Sequence, residues 1–236
     1  MIKLYEFPQS HYCEKVRWAL DYKNIPWESK RLVPGLHRLT VQKLCAGTSL
    51  PVIVHDGKAI QGSHEITTYL EKTFPEKSIG PESPLEKEIE QRVGIPLIMS
   101  IYYWLFQDPH LATFYYMKGL PRWQNFLFRS AMPILAPRIA SKYGINEVNY
   151  LKARKEFENG INWFEGIIKP SGFLEGSKFS RADIAGAASL IALHRPPEHP
   201  YQWPKMYWPK PVADFYDKYR TCKAYAWAEN IYREYR

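Results

Sequence analysis

Phe7-Pro8-Gln9-Ser10-His11-Tyr12-Cys13-Glu14-Lys15-Val16-Arg17 marks the place where an apolar strand gives way to a helix. Residues Ile2 to Phe7 read as the strand. Cys13, Val16 and Leu20 then recur at helical spacing, which predicts a helix from about His11 to about Tyr22, ended by Asn24 and Pro26. Ser10 falls at the start of that helix, where unpaired N–H groups and the positive end of the macrodipole favour an anion. Serine is also among the commonest helix caps, so the residue has a purely structural reading. In the functional reading its hydroxyl donates to a bound thiolate. Lowering a thiol pKa by about two units takes roughly 2.7 kcal/mol, which one charge-assisted hydrogen bond and a helix terminus can supply.

The 236 residues, 45% of them apolar, are enough for a substantial core in one domain or two small ones. No apolar run reaches the length of a membrane span, and the N-terminus lacks the pattern of a signal peptide, so a cytoplasmic protein without membrane association is expected. Cys13, Cys45 and Cys222 are an odd number without CxxC spacing, which argues against a disulfide framework and against a zinc site. No metal is expected. The net charge of +8 is spread among acids with no dense basic run, so it reads as a solvated surface rather than a nucleic-acid footprint. A mild positive field would still draw in a small anion. Aromatic residues cluster after residue 100, where some could line an apolar pocket and most would simply be core.

Outward from the opening stretch, Trp27 to Val33 reads as a second strand, parallel to the first by the right-handed crossover rule. Leu36, Leu39 and Leu44 suggest a short helix or turn ending near Gly47. Pro51 to His55 and Lys58 to Gln61 flank Asp56-Gly57, a turn that closes an antiparallel hairpin. Ile66, Tyr69 and Leu70 mark a helix capped by Ser63, a second helix start that could hold a ligand carboxylate. Pro75, Gly80, Pro81 and Pro84 form a linker, after which the periodicity is helical. Leu85 to Gln107 is expected to kink at Gly94 and Pro96, and Trp123 to Tyr143 to be interrupted by Pro133 and Pro137. Val148, Leu151, Phe157, Ile161, Phe164 and Ile168 form one amphipathic stripe. Ile184 to Leu193 reads as a helix buried all round, preceded by a Ser180-x-x-Asp183 capping box in which each side chain takes the other's N–H. A Pro- and Trp-rich stretch from His194 to Pro211 should wrap the surface before two last helical segments.

In this order the pieces resemble the cytosolic glutathione transferases over nearly the full chain. Ser10 followed by Cys13-Glu14-Lys15-Val16-Arg17 is similar to the serine type of that family. The resemblance implies an α/β thioredoxin-like domain over residues 1–81, an all-helical domain over 86–236 carrying the electrophile site, and a homodimer. It further implies that Ser10 is catalytic and that glutathione, as co-substrate, is bound by Ser10, His37, Leu50, Pro51, Gln61, Ser63 and His64. Gly35-Leu36-His37 resembles the segment that reaches the glycine carboxylate. Leu50-Pro51-Val52 resembles the turn whose cis proline lets the preceding backbone pair with the glutathione cysteine, and Ser63-His64-Glu65-Ile66 the one whose serine holds the γ-glutamyl carboxylate. An acidic or glutamine side chain usually precedes that serine to meet the γ-glutamyl amine. Here Gly62 stands in its place, which leaves the amine to Gln61, Glu65 or a partner subunit. Tyr12, Tyr102, Tyr103 and Trp104 are the candidates for the wall of an apolar electrophile pocket, although core packing also explains aromatics at those spacings.

The expected function is conjugation of the glutathione thiolate to apolar electrophiles. One rival is a glutathione-dependent thiol oxidoreductase or peroxidase. Glutaredoxin-like enzymes, however, carry their nucleophilic cysteine where Ser10 stands, and Cys13 falls where the resolving one would be. A second rival is a scaffold that binds glutathione without turnover.

Overall fold

The computed structural model describes residues 1–117, 121–190, 195–202 and 208–236. Strand β1 (Ile2–Glu6) alternates as its sequence requires: Ile2, Leu4 and Glu6 face inward, while Lys3 is exposed. It pairs in parallel with β2 (Trp27–Arg31), from Ile2 opposite Trp27 to Glu6 opposite Arg31. On its other side it pairs antiparallel with β3 (Val52–His55), which turns through Asp56-Gly57 into β4 (Lys58–Gln61). Both turn residues have positive φ, 49° and 78°, as an Asp-Gly hairpin of type I′ demands. The sheet order is β2-β1-β3-β4. β2 stops short of Val33; its ladder ends with the Leu32 N–H on the Glu6 carbonyl at 3.1 Å, just ahead of Pro34 and Gly35.

Helix α1 (His11–Tyr22) crosses from β1 to β2 and packs on α3 (Ser63–Thr73), while the short α2 (His37–Val41) follows β2. This is the expected thioredoxin-like unit, and the helical remainder follows it. The linker is tied at both ends. Glu71 accepts the Ile79 N–H at 3.1 Å, and the Ile79 carbonyl accepts from Arg181 N–H at 2.7 Å.

α4 (Pro84–Ile89) runs through one π turn, Glu90–Gly94, into α5 (Ile95–Gln107). The expected kink is therefore a π turn placed just ahead of Pro96. Proline at 96 leaves the Arg92 carbonyl without its usual partner, and α8 (Glu147–Ile167) comes against that carbonyl at Gly160, where a Cβ would overlap it. Between them lie α6 (Pro109–Met117) and α7 (Arg122–Lys142). The interruption expected at Pro133 and Pro137 does not occur: α7 is continuous, because both prolines face solvent and water can take the carbonyls they free. The stripe on α8 is buried at Phe157, Ile161 and Phe164 but exposed at Val148 and Leu151, so only its second half faces the core.

α9 (Arg181–Leu190) is buried at every position and packs on α1, α4 and α11 (Lys223–Tyr235), with α10 (Lys210–Tyr219) preceding α11. The continuation of the expected buried helix through Leu193, His194, and residues 203–207 of the Pro- and Trp-rich stretch lie outside the described residues. One apolar cluster runs from Ile2, Val16, Ile53 and Ile66 through Ile89 and Leu97 to Phe164 and Ala187, so the two halves share a core.

The cap of α9 differs in direction from the expected box. Asp183, fully buried, accepts the Ser180 N–H at 2.9 Å, the Ser180 hydroxyl at 2.8 Å and the Leu174 N–H at 2.8 Å. The hydroxyl thus donates to the carboxylate instead of receiving the Asp183 N–H. Asp183→Ala leaves the buried Leu174 N–H and the half-buried Ser180 N–H without a partner, and a loss of roughly 2–4 kcal/mol in unfolding free energy is expected from denaturant titration. Stability equal to wild type would show that these bonds carry nothing.

Two buried imidazoles add an acid sensitivity. Burial lowers His11, against Lys15, and also His199, in both cases to about 3. Both are neutral in the folded chain while the unfolded chain takes up protons near the ordinary histidine value. Stability is therefore fully present above about pH 6.5 and is lost as the pH falls toward 3. Thermal midpoints measured across this range are expected to drop steadily, with a shallower slope in His199→Gln.

Candidate functional site

The register of the sheet sets the site. Tyr5, Val52 and Gln61 lie in one row across β1, β3 and β4, so the residues just beyond them share one edge. Those residues are Phe7 to Ser10 after β1, Leu50-Pro51 before β3, and Gly62-Ser63 after β4. His37 reaches the same edge from beyond β2, its ring 4.8 Å from that of Phe7 in an edge contact. Along the edge the order is His37, Ser10, Leu50, Ser63.

Arg17 fixes the junction that carries Ser10. Its guanidinium, buried in α1, pairs with Glu6 at the end of β1 and with Glu14 at 2.7 Å, and donates to the Pro8 carbonyl at 3.0 Å. Glu6 also accepts from the Ser29 hydroxyl at 2.6 Å, and Glu14 from Arg236 at 2.8 Å. Burial alone would raise Glu14, but Arg17, His199 and Arg236 hold it down at about 2. From the helical half, Arg195 donates to the Gln9 carbonyl at 3.2 Å, one residue before Ser10.

Ser10 caps α1 and is half-buried, with its Oγ accepting the Cys13 N–H at 3.4 Å. In that bond the hydroxyl is an acceptor, which leaves its own hydrogen to give to a ligand. Cys13 itself is fully buried, and burial, with Glu6, pushes its thiol up to about 12. Burial and the raised pKa keep this thiol protonated and away from solvent. The Leu50–Pro51 peptide bond is cis, as the resemblance implied.

Ser63 is not the cap of α3 but its first helical residue. The cap is Gly62, at φ 97° and ψ 136°, so the Ser63 hydroxyl is not consumed by capping. His37 is half-buried; burial lowers its pKa despite the Thr48 backbone, and its Nδ1 accepts the Gly35 N–H at 3.0 Å. Gln61 donates to the Ser49 carbonyl at 2.8 Å and so braces the loop ahead of Pro51. The His64 side chain turns to Glu82, at 2.5 Å, and to Glu86, so only its backbone faces the helix start.

Of the aromatic candidates, Tyr12 sits over His11 with ring centroids 4.0 Å apart. Tyr102 lies close enough for Tyr12 and Cys13 to disfavour its phenolate, after burial as the main cause of its raised pKa. Tyr103 instead stacks on Tyr150 of α8 at 4.3 Å, and Trp104 meets the same ring edge-on, so both are packed into the helical half. Phe7, whose ring meets His37 at this edge, was not expected there, because a ring at a strand end carries no signal of its own.

The clasp is testable. Arg17→Met leaves Glu6 and Glu14 buried without their shared partner, and a loss of about 3–5 kcal/mol in unfolding free energy is expected. Denaturant titration showing an unchanged midpoint would mean that the junction is held by other contacts.

Residues 4–78 match the family model for the glutathione S-transferase N-terminal domain. A probable glutathione S-transferase of Nicotiana tabacum is 30% identical over 192 residues, which cover 80% of this chain and 69% of that protein. Among solved structures, a glutathione transferase of Phanerochaete chrysosporium superposes with a TM-score of 0.68 at 14% identity, covering 100% of this chain and 97% of that one. A glutathione S-transferase of Ceriporiopsis subvermispora, solved in complex with glutathione, gives 0.67 at 17%, covering 99% and 97%. The two structures speak for the fold, and the tobacco relative for the family. This chain belongs to the glutathione S-transferase family.

Proposed function

We propose that the protein is a serine-type glutathione transferase, which attaches the glutathione thiolate to apolar electrophiles. The observation that carries this reading is the order of groups along the sheet edge. His37, Ser10, Leu50 and Ser63 follow one another as the glycine carboxylate, the thiol, the cysteine backbone and the γ-glutamyl carboxylate follow one another in glutathione.

In this reading the chain does three things. The start of α3 and Ser63 receive one carboxylate, and His37 approaches the other as a neutral donor. The Leu50 backbone, ahead of the cis proline, holds the cysteine unit in strand fashion. Ser10 gives its hydroxyl hydrogen to the thiol sulfur at the positive end of α1, so the thiolate is favoured before any electrophile arrives. The electrophile lies between the two halves, with Tyr12 and Tyr102 as its nearest walls. We assign the active form to a homodimer in the cytoplasm, which sedimentation velocity and cell fractionation decide. The buried thiol of Cys13 speaks against the oxidoreductase alternative.

Ser10→Ala is expected to raise the pKa of the bound thiol by one to two units and to slow conjugation of a model electrophile by about 10- to 100-fold at neutral pH. Much of the loss should return at alkaline pH, where glutathione ionises unaided. Cys13→Ser should leave the pH–rate profile in place. Loss of turnover in Cys13→Ser with full activity in Ser10→Ala would reverse the roles, and binding of glutathione without turnover of any electrophile would favour a scaffold.

A further inference from the structure

Gly62 and Glu65 form a matched pair in the first turn of α3. Gly62 holds a backbone conformation, φ 97°, that side-chain-bearing residues rarely adopt, and a Cβ built there would overlap Oε2 of Glu65. The glutamate therefore folds back into the space that a side chain at position 62 would fill. A glutamate in this position of a helix ordinarily reaches for the N–H of the cap residue. Here the Gly62 N–H is already given to the Pro51 carbonyl at 3.0 Å. Among the described residues no hydrogen bond or ion pair engages the Glu65 carboxylate, which is exposed, and the nearby Lys15 is paired with Glu90. Beside it Ser63 is only 7% exposed, yet its hydroxyl makes no hydrogen bond among the described residues.

The Ser63 hydroxyl and first-turn N–H groups form a donor set suited to a carboxylate. A free carboxylate at the same place would repel such a ligand unless that ligand also carried a cation close to its own carboxylate. An α-amino acid end meets both conditions, because its ammonium and carboxylate share one carbon. Resting on the placement of glutathione given above, we infer that Glu65 binds the α-ammonium of the γ-glutamyl unit, taking over from within the helix the task that Gly62 has no side chain to perform. Glu65 is thus a specificity residue that makes the site select an amino acid end over a simple carboxylate.

The test compares glutathione with the same peptide lacking the α-amino group, by titration calorimetry on the full chain. Wild type is expected to bind glutathione about tenfold more tightly than the deamino peptide, the value of one charge-assisted contact. Glu65→Ala should lose that preference by weakening glutathione alone, while the deamino peptide binds as before or better. Glu65→Asp should keep part of the preference, which a purely structural role would not predict. A preference that survives Glu65→Ala intact overturns the assignment while leaving glutathione at Ser63. If Ser63→Ala does not weaken either peptide in wild-type background, the placement itself fails, and the role of Glu65 with it.

Discussion

The geometry of this protein depends on the guanidinium of Arg17. One planar cation in α1 joins Glu6 at the last inward position of β1, the Pro8 carbonyl in the loop and Glu14 in the first helical turn. These groups bracket Ser10 on both sides. Charges buried this deeply gain little net stability over an apolar replacement, but they cannot be left unpaired, so they impose one arrangement. The consequence is a strand–helix junction whose backbone is fixed before any ligand arrives.

The helical half serves the same edge of the sheet. Arg236 and His199 approach Glu14 from the far side, and Arg195 takes the Gln9 carbonyl. A second buried arginine, Arg181 at the head of α9, bonds the Thr67 and Thr68 hydroxyls and the His64 carbonyl while pairing with Glu86. It thereby pins the first turns of α3 to α4 and α9. The two helix starts that face the edge are held from behind by the helical half. A shared core running from Ile2 to Ala187 makes this coupling a matter of packing as well as of charge.

The parts of this arrangement that were legible in the sequence are those written in neighbouring residues. Apolar alternation with an Asp-Gly turn, a serine ahead of a 3.6-residue repeat and a proline-rich break each carry a local physical signal, and each stands where it was expected. The parts that were not legible depend on direction or on exposure. Pro133 and Pro137 do not break α7, because their side of the helix meets water, which no spacing reveals. Ser63 proved to follow the cap rather than be it, since only the backbone angle of Gly62 distinguishes the two. Gln61 ends β4 and His64 lies in the first turn of α3, but their side chains turn to Ser49 and Glu82, partners distant in sequence. Tyr103 and Trp104 share a helix with Tyr102 but face Tyr150, a choice made by the packing of α5 on α8.

The central claim is that the edge of the sheet reads glutathione in one direction, with the thiol at Ser10. A crystal structure of the protein with glutathione tests it most directly. The account predicts the sulfur within hydrogen-bond reach of Ser10 Oγ, the glycine carboxylate toward His37 and the γ-glutamyl end at the first turn of α3. Glutathione lying in the opposite direction, or with its sulfur turned away from Ser10, would contradict it.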